Sequence, residues 1–256
     1  MTEMLIPGRA AATVIILRDR LAASPEILMM ERASSMAFAA GALVFPGGAV
    51  DEGDHALAAM IGGDLERDEA AARIAAIRET LEESGLAVAL DRPVGMEQAG
   101  AMRDALAQGA SMAAVLDVHG LQPDLGQLLP FARWHPAVKE PVHKVFDTRF
   151  YLVRAPDEQE ATVDRTENVR LFWSGAADTL VRCDNGDGHV IFPTRCNLER
   201  LAQFASFDEI AAHAASIPVE KVTPRIEERD GQHHLCIPAH LGYPVTSHPM
   251  TGMARG

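Results

Sequence analysis

The chain has 256 residues, 48% of them hydrophobic, and a formal charge of -13. This composition suits one large globular domain or two small ones, and the acidic balance argues against a nucleic acid polymer as partner, which calls for a basic face. Cys183, Cys196 and Cys236 are odd in number and far apart, with no C-x-x-C pair, so neither a disulfide framework nor a thiolate zinc site is expected.

The apolar run at residues 11–17 is too short to cross a membrane, and the N-terminus lacks a basic stretch followed by a long apolar one. A soluble, cytoplasmic protein with no membrane partner is the expectation. Residues 12–17 and 26–30 read as two strands around a charged turn. Glycine-rich, acidic FPGGAVDEGD (45–54) reads as a loop. From Asp64, a plausible N-cap, the pattern turns helical as far as Ser84, with Gly85 as the stop. Ile74, Ile77 and Leu81 make its apolar stripe, and Glu79, Glu82 and Glu83 point away from that stripe.

Residues 97–118 read as one or two alanine-rich helices. KVFDTRFYLVRAP (144–156) and ENVRLFW (167–173) read as strands, and residues 197–216 are helical again. Residues 222–238 read as a hairpin turning at Asp230-Gly231. Strands and helices mix without regular βαβ alternation.

The chemistry concentrates in RETLEESG (78–85). Glu79, Glu82 and Glu83 stand at i, i+3 and i+4, where like charges cost roughly 0.2–0.5 kcal/mol per pair on a helix. A divalent cation with hard oxygen ligands, Mg²⁺ or Mn²⁺, removes that repulsion, and beside a phosphate it neutralises developing charge and acidifies water. A solvated acidic helix face is the ordinary alternative.

The surroundings favour the cation. RETLEESGL resembles the second half of the Nudix box, with Thr80 where an aliphatic residue is usual. Upstream, FPGG and the spacing from Gly48 to Asp54 resemble the first half. The halves are separated by residues 55–77, sixteen more than the usual box has. Such an insertion occurs in a branch that includes the motif-19-type coenzyme A diphosphatases. It leaves open whether Asp54 or one of Glu66, Asp68 and Glu69 fills the place of the usual glutamate. Residues 28–48 run parallel to the coenzyme A signature of related enzymes, with Arg32 and Gly41 matching but Ala33 and Ala37 replacing a serine and an arginine. RFYLVRAP and the segment from Pro224 to Pro244 also look like that branch.

The resemblance implies a single domain over 1–256 with a Nudix-type mixed β-sheet sandwiched between α-helices. It would carry a helical insertion at about 92–130 and a C-terminal helical extension at about 193–245. It implies Glu79, Glu82 and Glu83 as metal ligands, Glu79 alternatively as the base, and Arg78 as the group that holds it. Gly48 would allow a close approach and offer its carbonyl region to the metal. Glu167 is the candidate for a further acid from a downstream loop, with Glu140 and Glu160 behind it. Arg32 is a candidate for substrate phosphate.

The implied activity is metal-dependent cleavage of a diphosphate linkage in a small nucleoside diphosphate derivative, with coenzyme A or an acyl-CoA as first candidate. ADP-ribose, a dinucleotide or a nucleotide sugar is the alternative, and a non-catalytic ligand-binding or regulatory protein another. A homodimer is compatible with the family. Ordinary structural roles are expected elsewhere: cross-strand ion pairing for Asp147 and Arg149, packing for Trp134 and Trp173, and a surface position for His233-His234. Gly47-Gly48 lacks the trailing residues of a P-loop.

Overall fold

The computed structural model describes residues 7–21, 23–34, 39–61, 63–136, 145–164 and 168–250. Its centre is a mixed sheet. Strands β1 (Arg9–Arg20) and β2 (Ala23–Arg32) form an antiparallel hairpin that pairs near its turn, Leu17 opposite Ile27. Away from the turn the two strands part company. There β1 pairs with β4 (Gly47–Ala49), and β2 pairs with β3 (Leu43–Val44). The FPGG stretch is thus held inside the sheet, and its residues 47–49 form a short strand rather than the expected loop.

On the other side of β1 runs β6 (Phe146–Arg154), parallel to it. Next to β6 come β5 (Leu129–Trp134) and the short β8 (Lys221–Val222). β7 (Asn168–Gly175) pairs with the free side of β2. Side chains alternate along these strands, so two cores form, one on each face. Ala12, Val14, Ile16, Leu28, Tyr151 and Val153 face one core. Ile15, Leu17, Ile27, Met29, Phe150 and Leu152 face the other.

The first core is covered by α1 (Glu52–Ile61), α2 (Arg67–Ser84), α3 (Met96–Ala107) and α4 (Met112–His119). The second is covered by α5 (Ala176–Asp184), α6 (Phe192–Leu201) and α7 (Phe207–Ser216). This is the expected sheet sandwiched between helices. The 92–130 segment holds two helices and runs into β5. The C-terminal extension is helical in its first half. It then forms a separate three-stranded sheet of β9 (Arg225–Arg229), β10 (Gln232–Cys236) and β11 (Ser247–Pro249). Its hairpin turns at Asp230 and Gly231, both at positive φ, as the Asp-Gly pair demands.

Two helix boundaries differ from expectation. Glu52 through Asp54 is not loop, because α1 begins at Glu52. α2 begins at Arg67 rather than at Asp64, with Glu66 at the N-cap and no side-chain cap. Asp68 and Glu69 in its first turn supply the negative charge that favours a helix N-terminus. Among the described residues no helix is long and apolar enough to cross a membrane.

Candidate active site

α2 carries the box acids, and its sequence explains how deeply it sits. Ala70, Ala71, Ala72, Ala75 and Ala76 are all buried, so small side chains let α1, α3 and β1 close around it. The acids therefore do not simply project into solvent as a one-sided amphipathic helix would have them. Glu83 is only 5% exposed. Its carboxylate accepts the Gly47 N–H at 2.8 Å and faces the Asn168 amide at 3.4 Å.

Arg78 organises the rest. Its guanidinium donates to both oxygens of Asp54 (2.9 and 3.1 Å), to Glu79 (2.8 Å), to Glu82 (3.0 Å) and to the Ala49 carbonyl (3.1 Å). Asp51 adds a fourth carboxylate at 3.6 Å. Asp54 thus joins the site although 23 residues separate it from Arg78. The intervening chain leaves through α1 and returns through the first turns of α2. Glu69 is engaged elsewhere, by Arg73, Arg149 and Tyr151. Glu66 and Asp68 are exposed and make no contact with Arg78.

Gly48 lies against Glu79, and a Cβ at that position would collide with the Glu79 carboxylate. The absence of a Cβ therefore lets the β4 backbone lie directly against the Glu79 carboxylate. Arg32 stands at the end of β2, opposite Asn168 in the β2–β7 ladder, and its charge acts on Glu83. Glu167 and Glu140 lie outside the described residues. Glu160 is exposed.

Burial dominates the electrostatics. It pushes the Glu79 carboxyl up to about 7, against Arg78 and with the help of Glu82. It pushes Glu83 up to about 8, against the Gly47 N–H and with the help of Glu79, and it raises Glu82 as well. Arg78 is held above its ordinary range by Asp54, Glu79 and Glu82 in spite of its own burial. One arginine thus faces more carboxylate charge than it can neutralise, an arrangement suited to a hard divalent cation. The oxygens of Glu79, Glu82 and Glu83 do not all lie within 4.8 Å of one another, being drawn to Arg78 and Gly47 instead. The donor set fits a cation in its chemistry and its excess charge.

Sequence reasoning passed over Asn168 and Arg103. Asn168 is 1% exposed and sits one residue after the favoured Glu167, in reach of Glu83. Arg103, from α3, donates to the carbonyls of Glu82 (2.9 Å) and Glu83 (3.3 Å). Neither shows a local motif, since each acts across a long loop. The structural roles expected elsewhere hold in part: Arg149 pairs with helix α2 rather than across the strands, and His233 is exposed while His234 is half-buried against Ser247. Asp147 pairs with Arg133 and Lys221, and Arg149 with Glu69. Trp134 is buried and donates to the Tyr243 hydroxyl, while Trp173 lies under Arg18. A cleft of about 340 Å³ beside Pro25, Ala176 and Phe204 lies at the opposite end of β2 and holds none of the box acids.

No protein-family profile matches the chain. Among solved structures, a Nudix hydrolase from Alicyclobacillus acidocaldarius is 28% identical, with a TM-score of 0.69, over 82% of this chain and 97% of that one. A MutT Nudix hydrolase from Burkholderia pseudomallei is 19% identical, with a TM-score of 0.43, over 76% of this chain and 98% of that one. An Ap4A hydrolase from C. elegans is 15% identical, with a TM-score of 0.37, over 80% and 93%. The chain has the fold of the Nudix hydrolases.

Proposed function

We propose that the protein is a Nudix hydrolase that cleaves a diphosphate linkage in a small nucleoside diphosphate derivative, with Mg²⁺ or Mn²⁺ as cofactor, in the cytoplasm. The observation that carries this reading is the convergence of Asp54, Glu79 and Glu82 on Arg78, with Glu83 fixed by Gly47 beside them. The likeness to the Alicyclobacillus acidocaldarius hydrolase supports it.

In this reading Glu82 and Glu83 hold the cation, with Glu79 and the Gly48 backbone adjoining. A bound divalent cation neutralises the diphosphate and acidifies water. Glu79, whose carboxyl stands at about 7, is poised to accept a proton from the attacking water near neutral pH. Arg78 orients Glu79 and Glu82 and keeps their charges from driving them apart. Arg32 offers a cation to a substrate phosphate. The rate gain comes from positioning and charge complementarity, without a covalent intermediate.

Coenzyme A or an acyl-CoA is the first substrate to test, on the pattern of residues 28–48. Ala33 and Ala37 keep ADP-ribose, dinucleotides and nucleotide sugars in the panel. Each compound is incubated with Mg²⁺ or Mn²⁺ and its products are identified by mass. Metal-dependent cleavage is expected, falling roughly 100-fold or more in Glu82→Gln. A folded, metal-binding wild type that turns over none of them would instead favour a ligand-binding role, which the intact set of acids argues against.

A further inference from the structure

A second set of ligand-type side chains lies on the opposite face of the sheet from α2. Cys196 and Glu199 stand one turn apart on α6, and His248 reaches them from β11. One ligand atom from each, the Cys196 Sγ, a Glu199 carboxylate oxygen and a His248 ring nitrogen, all lie within 4.8 Å of one another. Among the described residues this is the one cluster of three or more such side chains whose ligand atoms converge so closely.

We propose that Cys196, Glu199 and His248 form a zinc site that fastens the C-terminal sheet to α6. The distances are near those of a tetrahedral site. Bond lengths of about 2.3 Å to sulfur and about 2.0 Å to nitrogen and oxygen place sulfur about 3.5 Å from nitrogen, and nitrogen about 3.3 Å from oxygen. The observed separations are 4.0 Å for Cys196 Sγ to His248 Nε2 and 3.2 Å for His248 Nε2 to Glu199 Oε2.

The groups around the site point the same way. Glu199 Oε2 is buried and makes no hydrogen bond, although His248 Nε2 stands 3.2 Å away. The two atoms face each other without hydrogen-bond alignment, as they would if both were aimed at a shared third atom. The other Glu199 oxygen is turned to Arg195 at 3.5 Å, the kind of outer contact that fixes a ligating carboxylate. The His248 ring is set edge-on to Phe192, with centroids 5.4 Å apart. Cys196 is fully buried and His248 is 7% exposed. A mixed sulfur, nitrogen and carboxylate set suits Zn²⁺ better than the oxygen-preferring Mg²⁺ of the α2 site. Three protein ligands leave one position for water on the side where Glu199 is partly exposed.

Binding would convert the Cys196 thiol to a thiolate, its proton leaving to solvent as the Zn–S bond forms, with no change in oxidation state. Sequence spacing concealed this set. Zinc motifs are sought as paired cysteines and histidines at short intervals, whereas these three ligands span 53 positions and include a glutamate.

Cobalt substitution on the full, reduced chain tests the proposal independently of any hydrolase activity. Co²⁺ is expected to bind one equivalent at this site with a sulfur-to-cobalt charge-transfer band, which Zn²⁺ then bleaches. The all-oxygen α2 site cannot produce that band. Cys196→Ser should abolish it, His248→Gln should weaken Co²⁺ binding roughly 100-fold, and Cys236→Ser should leave the band intact. Cys236 is a fair control because it pairs with Ser247, one position out of step with His248, and so faces the other side of the β10–β11 ladder. On wild type alone, Zn²⁺ should slow alkylation of Cys196 in mild denaturant, which opens the buried thiol to reagent, as read by peptide mapping, so misfolding of a variant does not spoil the test. Absence of the band in folded wild type, its survival in folded Cys196→Ser, or equal alkylation of Cys196 with and without zinc would overturn the proposal.

Discussion

Thr80 and Glu83 make opposite compromises on one helix. Thr80 is fully buried, and its hydroxyl oxygen has no hydrogen-bond partner. It occupies a place where the box usually carries an aliphatic residue, and leaving a hydroxyl unsatisfied costs about 1–3 kcal/mol. Thr80→Val keeps the shape and removes that cost. Chemical denaturation should show it about 1 kcal/mol more stable than wild type; an equal or lower stability would mean that the hydroxyl is satisfied in solution. Glu83 is different, because in the proposed function its burial serves a cation. Its folded value of about 8 lies above the ordinary 4.5, so the folded state holds a proton more tightly than the unfolded chain does. The stability this contributes is complete below about 4.5 and is lost as pH rises through about 8. Glu83→Gln does not titrate, retains an acceptor for the Gly47 N–H, and can donate to the Asn168 side-chain oxygen, which has no partner. In chelator the variant should match wild type in Tm near pH 5 and exceed it by on the order of 5 °C at pH 8. Added Mg²⁺ should close that gap by raising the wild type alone. A wild type equally stable across this range would show that the acids are not held in tension.

At the scale of elements, α2 is secured at its C-terminus by three separate parts of the chain. A helix leaves its last four carbonyls without partners inside it. Here the Leu81 carbonyl accepts from the Gly85 N–H, those of Glu82 and Glu83 from Arg103, and that of Ser84 from the Thr162 N–H at 2.8 Å. Gly85 has the left-handed φ of 72° that this stop requires. The stop was legible because Gly follows an acidic, alanine-rich run of the right length. The role of α3 was not, since Arg103 is an unremarkable residue in a segment that reads only as helical. The same distinction runs through the fold. β1, β2, β6, β7 and the Asp230-Gly231 hairpin announce themselves by β-branched runs or by a turn dipeptide. β5, β8 and α5 do not, because they are short and owe their form to neighbours already in place. Residues 197–216 read as one helix but break between Leu201 and Phe207, where Ser206 caps the second helix by accepting the Glu209 N–H. In the site, Glu79, Glu82 and Glu83 were legible from spacing on one helix. Asp54 was left open because a helix-long excursion separates it from Arg78. Arg103→Ala should cost about 1–3 kcal/mol through the two carbonyls it uncovers. It should also lower kcat more than it raises KM, because Glu82 and Glu83 lose their support while substrate contacts remain. A variant with wild-type kcat would assign Arg103 to stability alone.

Across the whole molecule, the C-terminal segment must be tied to a sheet whose acid-bearing helix α2 lies on the other face. Asp147 is one such tie. It sits on β6, receives two bonds from Arg133 on β5 (2.7 and 2.9 Å), and meets the Lys221 ammonium on β8 at 2.6 Å. β8 adds only two residues to the sheet, too few to hold the edge by backbone pairing alone, so this charge cluster completes the join. Burial alone would raise the Asp147 pKa, yet Arg133 and Lys221 outweigh it and hold the carboxyl down to about 2. A folded value below the ordinary 3.8 contributes stability that is complete above the unfolded value and lost as pH falls through the folded one. The window is therefore about pH 4 down to pH 2, well below the range in which Glu79 and Glu83 titrate. Asp147→Asn should lose about 2 kcal/mol at pH 7, and that difference should vanish as the wild type is acidified to pH 2. Hydrogen exchange would locate the loss: protection should fall at Lys221 and Val222 and along β5, while the amides of α2 keep theirs. If protection fell equally on both faces of the sheet, Asp147 would be supporting the central strands as a whole, and the C-terminal segment would need another anchor.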